Sequence, residues 1–478
     1  MNSDQGMESP SRYHGQVASS QYSAQAPTLL RQLGVTSATA IVISNMVGTG
    51  IFTSTGFNAG DLGTSKLILL LWTVGGIAAL CGAFCYSELG INFPSSGGEY
   101  IYLTKAYGPT WGFMSGWVSF FAGFSAPIAA AALAFSDYIG YFFPWAKQAS
   151  ASFIVGPASW GWKLGGAQVV ACVLVAVFTI LNFFGVQRVA RIQNLLTGIK
   201  LVVICSFILL AFTVGHGDWS HFSTPAQRWT TTPIPAQFAI SLFWVYVSYS
   251  GWNAATYIAE ELHQPSRTLP IAMLFGTITV AILFLLLNVV FIYAVPLEQM
   301  KGVVAVGSLA AARLFGPEVA GVFSGLMALG LLATVNAMVT IGPRVYYAMA
   351  QNKAFFAAAA RVHPRWHTPV VAIVAQGICT MFMALTPFGE LITYIGFLLN
   401  LFAVLAVASL FWFRRRPGWK KVGVVSFAYP LLPATFVLIG LWMTYQGLAR
   451  RPWISLAAAL TIATGALYYR LRLRPRAV

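Results

Sequence analysis

The chain has 478 residues, 58% of them apolar and only 8% charged, which is too little polar surface for a soluble fold of this size. Its net charge of +16 would suggest nucleic acid in a soluble protein. In a chain this apolar, what matters is where the charge lies relative to spans of about 20 apolar residues, the length that crosses a bilayer.

Residues 1–30 are rich in Ser and Gln and have no early apolar run, so they read as a disordered tail and not as a cleavable signal. Apolar segments follow near 36–62, 66–92, 107–143, 164–185, 190–214 and 234–261, then near 268–295, 316–349, 368–386, 390–412, 422–447 and 453–473. They predict an all-α integral membrane protein of about twelve helices. Nineteen of the 28 basic residues fall on the N-terminal side of that topology and eight on the other, with Lys200 alone inside a span. The bias predicts a plasma-membrane protein with both termini cytoplasmic. Cys81, Cys85, Cys172, Cys205 and Cys379 lie in apolar stretches and imply no disulfide framework.

The first and sixth segments carry breaks. Gly48-Thr49-Gly50-Ile51-Phe52 interrupts the first, and Ser248-Tyr249-Ser250-Gly251-Trp252 interrupts the sixth. Glycine disfavours a continuous helix by about 1 kcal/mol. Small residues alone would also suit tight helix packing. Matched breaks about 200 residues apart, each opening a five-helix block, point instead to the binding site of a transporter. A dinucleotide reading of Gly-Thr-Gly lacks the preceding strand and the third glycine.

Enzyme chemistry has little to stand on. His363 and His367 are separated by Pro364, which argues against one helical metal face. His216 and His221 sit in a polar loop, and no phosphate-binding Walker motif occurs. No catalytic residue, metal or cofactor is expected. A channel would not need two matched breaks.

Val47-Gly48-Thr49-Gly50-Ile51-Phe52 resembles the first-helix motif of the amino acid–polyamine–organocation superfamily. Tyr86-Ser87-Glu88-Leu89-Gly90, followed by Phe93-Pro94-Ser95-Ser96-Gly97-Gly98-Glu99-Tyr100-Ile101-Tyr102, resembles its second-helix and loop motif. Ser250-Gly251-Trp252-Asn253 with Glu260-Glu261, and Asn336 with Arg344-Val345-Tyr346-Tyr347, are similar to the sixth and eighth helices of the L-type amino-acid transporter branch.

The resemblance implies a LeuT-type fold with inverted repeats at 31–214 (helices 1–5) and 215–412 (helices 6–10). Helices 11 and 12 and a basic tail occupy 413–478. It implies secondary transport by alternating access around a central site.

In that site the N–H groups of Thr49, Gly50 and Ile51 would meet a carboxylate at a half-helix N-terminus. Gly48 and Gly50 would allow close approach. Carbonyls of Met46, Val247, Ser248 and Ser250 would accept from the ammonium, and Trp252 would form a wall. Lys200 would stand near Thr334 where sodium-coupled relatives hold sodium, which implies sodium-independent transport. Its alternative is snorkelling to the membrane edge beside Arg188 and Arg191. Asn253 is assigned a conformational role with Lys200 and Thr334.

Val247 is smaller than the aromatic gate residue of several relatives. Ser250 replaces a common glycine and would either bond substrate or cap the break. Pro94, Gly97 and Gly98 mark an inner turn near Glu88 and Glu99, whose role is scaffold or gate. Glu260 and Glu261 would pair with Arg267 or Arg344. No Asp or Glu occupies the middle of helices 1, 6, 8 or 10, which favours a neutral L-amino acid over an amine, polyamine or cationic amino acid. Cation–π contact with Trp252 or Tyr249 could partly serve a cation. Exchange and proton coupling both remain open. The loop from Pro144 to Lys163 holds no cysteine, so no disulfide-linked ancillary subunit is expected. The expected partners are an amino acid and membrane lipid, with no nucleic acid.

Overall fold

A computed structural model describes residues 33–94, 97–150, 152–155, 161–184, 186–351, 354–363 and 368–473. The side chains of residues 184, 186–197, 260, 261 and 348 are not described. The expected N-terminal tail therefore lies outside the described residues, as do His367 and the end of the basic tail.

In lipid the backbone must satisfy its own polar groups, and helices do so within one segment. Among the described residues, eight helical segments are long and apolar enough to cross a membrane. They are helix 1 (Val35–Leu62), helix 2 (Ser65–Asn92), helix 3 (Pro109–Ile139) and helix 7 (Pro265–Ala294), with helix 8 (Pro317–Gln351), helix 10 (Phe388–Phe413), helix 11 (Leu431–Arg450) and helix 12 (Pro452–Leu473). Helix 4 (Gly166–Leu181), helix 5 (Val186–Thr213), the broken helix 6 (Ile234–Glu261) and helix 9 (Val370–Met383) complete the expected twelve.

Local sequence explains several boundaries. Proline opens helices 3, 7 and 12, where its missing N–H costs nothing. Helix 3 widens into a π turn at Ser119–Ser125. Helix 2 seats helix 6 on glycines: a Cβ at Gly75 would lie 2.3 Å from Val245, and one at Gly82 would lie 2.8 Å from the Trp252 ring.

Four features differ from the expected layout. The turn at Gly97 and Gly98 is present, with Gly98 at φ 48°, but a nine-residue helix, Glu99–Tyr107, follows it. Only Tyr102 and Leu103 of that helix are buried, so no apolar stripe announced it. A second loop helix, Val306–Phe315, precedes helix 8. Helix 11 starts at Leu431 and not near 422, because a short helix, Gly423–Phe427, ends before Pro430. The loop between helices 3 and 4 holds an antiparallel ribbon of β1 (Ser152–Val155) and β2 (Trp162–Gly165).

Candidate functional site at the paired helix breaks

Helix 1a (Val35–Met46) ends at Val47, whose ψ of 79° leaves the helical region. Helix 1b (Gly50–Leu62) restarts with Thr49 as its N-cap. Helix 6a (Ile234–Tyr249) ends where Ser250 turns to ψ 142°. Gly251 follows at φ 106°, a region that favours glycine, and helix 6b continues as a 3₁₀ segment, Ala254–Glu261. Both breaks thus fall where the sequence expects them.

The breaks touch each other through their glycines. A Cβ on Gly50 would lie 2.4 Å from Ser248 Cα, and one on Gly251 would lie 2.8 Å from the carbonyl carbon of Asn45. Only hydrogen at these positions lets the two chains cross this closely. The first N–H groups of helix 1b, including Gly50 and Ile51, have no intrahelical partner and carry the positive end of the helix dipole.

The polar groups around the crossing are paired as follows. Met46 carbonyl accepts from Gly48 N–H at 2.8 Å. Val47 carbonyl accepts from the Lys200 ammonium. Val247 carbonyl accepts both Ser250 N–H (3.1 Å) and Ser250 Oγ (2.7 Å). Of the two readings of Ser250, capping the break is the one seen. Two donors also fill the two lone pairs of Val247 carbonyl in this conformation. Ser248 Oγ donates to Trp244 carbonyl at 2.8 Å and lies 3.0 Å from Ser54 Oγ.

Lys200 does not snorkel. It is 2% exposed, and its ammonium turns into the helix 1 break. Its stem packs on Gly330 of helix 8, where a Cβ would lie 3.3 Å from Lys200 Cδ. Thr334 stands one turn further on and bonds back to Gly330 carbonyl; its methyl lies 3.9 Å from where a Gly48 Cβ would be. Lys200, Gly48 and Thr334 are therefore brought together.

Trp252 lies elsewhere. It is buried, but meets Tyr86 edge-on at 4.8 Å and Phe436 at 5.9 Å, facing helices 2 and 11. Tyr249 likewise turns to Trp72 and Phe284 and donates to Trp72 carbonyl at 3.2 Å. The two rings available for a cation–π contact thus face away from helix 1. A groove of about 780 Å³ lies between Tyr141, Phe142 and the Pro317–Leu329 stretch of helix 8, apart from the breaks.

Asn253 donates to Glu99 Oε1 at 2.7 Å, and Tyr257 donates to the other carboxylate oxygen. The loop helix is thereby tied to the helix 6 break, a link for which the sequence offered proximity to two motifs but no spacing. Glu88 is fully buried. It accepts Arg414 Nε and Nη2 at 2.6 and 2.7 Å, Trp419 Nε1 at 2.8 Å and Val422 N–H at 3.1 Å. Sequence reasoning also missed Ser54, Thr55 and Asn288; Thr55 Oγ1 donates to Asn288 Oδ1 at 2.7 Å. The signal was available in the hydroxyl run Thr53-Ser54-Thr55 directly after the glycine break.

Helix 1b is joined to helix 6a in tiers. Ser54 meets Ser248, Phe57 stacks on Trp244 at 4.3 Å, and Asp61 accepts from Ser241 Oγ at 3.1 Å and from Trp229 Nε1 at 2.7 Å. Every residue of helix 1b except Phe57 is buried, whereas helix 1a buries only the stripe Ala38, Val42, Met46.

Residues 33–463 match the family model described as amino acid permease. The chain is 28% identical over 412 residues to the serine/threonine exchanger SteT of Bacillus subtilis, covering 85% of this chain and 88% of that protein. It is 27% identical over 431 residues to the large neutral amino acids transporter small subunit 2 of Mus musculus, covering 87% and 77%. It is 26% identical over 447 residues to the Asc-type amino acid transporter 1 of Mus musculus, covering 91% and 80%. With a broken first helix and a broken sixth helix crossing at the centre of a multi-pass helical bundle, and with a family match running through nearly all of it, the chain belongs to the amino acid permease family of membrane transporters.

Proposed function

We propose that this transporter exchanges neutral L-amino acids across the plasma membrane by alternating access, without sodium. The single observation that carries the reading is the crossing of the two breaks with the Lys200 ammonium on Val47 carbonyl. The free first turn of helix 1b offers N–H groups to a carboxylate. Met46, Ser248 and Ser250 supply carbonyls for an ammonium, and Val247 joins them once Ser250 releases it. Lys200 supplies a fixed positive charge at the break, the role a bound cation would otherwise fill.

The names of the relatives support a neutral substrate: one exchanges serine and threonine, and another carries large neutral amino acids. Helices 1–5 and 6–10 form the two repeats, and the basic bias places both termini in the cytoplasm. Helix 1b then faces outward, and its burial fits a conformation closed on the outer side. The 144–163 loop has no cysteine, so the chain works without a disulfide-linked subunit. The test of substrate class is competition for uptake into proteoliposomes. Inhibition by serine, alanine or leucine supports the reading; inhibition by putrescine or agmatine alone overturns it.

A further inference from the structure

The segment between helices 3 and 4 is fixed to three helix ends. Ser136 Oγ donates to Ala146 carbonyl at 2.6 Å and Gln148 N–H donates to the Asp137 carboxylate at 3.1 Å, which holds this loop to the C-terminal end of helix 3. A Cβ on Gly166 would lie 2.8 Å from the Trp145 ring, so that indole rests on the first residue of helix 4. Lys163 N–H donates to the carbonyl of Leu385, just beyond the end of helix 9, at 2.7 Å. The β1–β2 ribbon therefore stands at the level where helices 3 and 9 end and helix 4 begins.

The register of the ribbon sorts its side chains onto two unlike faces. Phe153 pairs with Leu164 and Val155 with Trp162. Residues directly opposite, or two apart on one strand, share a face. One face is thus Phe153, Val155, Trp162 and Leu164, all of them exposed, Phe153 by 81%. The other face pairs Ile154 with Lys163. A two-stranded ribbon is at best marginally stable alone in water, so an apolar face of this kind needs cover.

The surroundings of the ribbon indicate what covers it. Phe143 and Trp145, just after helix 3, are exposed as well. Tryptophan is enriched where a membrane meets water. From 141 to 165 the only charged residues are Lys147 and Lys163, a balance that suits the phosphates of anionic lipid. Helix 4 follows β2 directly and exposes Val169, Val173, Val177 and Ile180, a stripe at the spacing of one helix face. Exposed apolar surface thus runs from the ribbon into the belt that meets lipid. Four side chains are also too few for a stable protein interface, which takes about 20–30 residues a side.

We propose that the Phe153, Val155, Trp162 and Leu164 face lies in the phospholipid interface, as an anchor that holds the ends of helices 3, 4 and 9 at the bilayer surface.

The test uses the full chain in vesicles of phosphatidylcholine and phosphatidylglycerol. A nitroxide is attached at Phe153→Cys, Val155→Cys, Ile154→Cys or, as a water-exposed reference, Thr231→Cys of the helix 5–6 loop. The signal of the unsubstituted chain, whose Cys205 is exposed, is subtracted. Collisions with oxygen, which concentrates in the apolar layer, are read against collisions with a water-soluble nickel chelate, which stays out of it. At 153 and 155 nickel collisions are expected to fall about tenfold below those at 231 while oxygen collisions rise, because a polar chelate does not enter an apolar layer. At 154 nickel collisions are expected to stay near the reference. Nickel collisions at 153 and 155 equal to those at 231 would place the ribbon in water and overturn the anchor. Low collisions with both reagents would mean cover by protein, a second copy included, and overturn it equally. Loss of the alternation between 154 and its neighbours also overturns it. If Phe153→Cys fails to insert, Val155→Cys carries the same comparison.

Discussion

At the scale of single residues, two glycines and one lysine carry the proposed site. Gly50 has no room for a methyl group, because its nearest neighbours include backbone of Ser248 at 2.4 Å. Gly50→Ala must push the two breaks apart, and exchange is expected to fall at least about tenfold, equivalent to roughly 1.4 kcal/mol, with insertion intact. Proteoliposome counterflow measures it. Gly251 adds a backbone conformation that alanine rarely adopts, so Gly251→Ala carries strain of about 1–3 kcal/mol on top of its clash with Asn45. That variant is expected to melt at a lower temperature in detergent. Lys200→Ala removes a charged hydrogen bond worth about 1.5–3 kcal/mol, so turnover is expected to fall about 10- to 100-fold. Unchanged uptake by a correctly inserted Lys200→Ala chain removes the role given to the lysine.

At the scale of elements, the breaks were legible because Gly and Ser in the middle of an apolar run have no other cheap explanation twice over. The direction of a side chain around a helix was less legible. Trp252 read as a wall of the site, yet the small Gly82 on helix 2 draws its ring to the opposite side. Ser250 could have faced substrate, but its hydroxyl bonds back to the carbonyl of Val247, which also accepts its N–H. The loop helix Glu99–Tyr107 was invisible because its contact to Asn253 and Tyr257 is polar and long-range. Glu88 shows the same limit: its partner Arg414 lies more than 300 residues on. That pair joins the C-terminal ends of helices 2 and 10. Glu88→Gln leaves a buried guanidinium short of its counter-charge, a loss expected to cost about 3–5 kcal/mol. The melting temperature in detergent should fall well below that of Lys301→Gln, which breaks only the pair at the exposed Glu298.

At the scale of the whole molecule, composition carried the fold class, and the periodic return of apolar segments carried the helix count. The basic bias explains a high net charge without nucleic acid. The two halves of helix 1 differ in burial, which no sequence pattern foretold: helix 1b packs against helix 6a and is buried almost throughout, and helix 1a is packed along one stripe. A site formed by backbone at two crossing breaks suits a small zwitterion, and the lysine standing in the break is the basis of the proposed sodium independence.

The most direct test of that account is uptake of labelled L-serine and L-leucine into sodium-free proteoliposomes, empty or preloaded with unlabelled amino acid. Strong uptake only into preloaded vesicles, unchanged by adding sodium, is the predicted result. Uptake that requires sodium, or that is confined to amines, would contradict it.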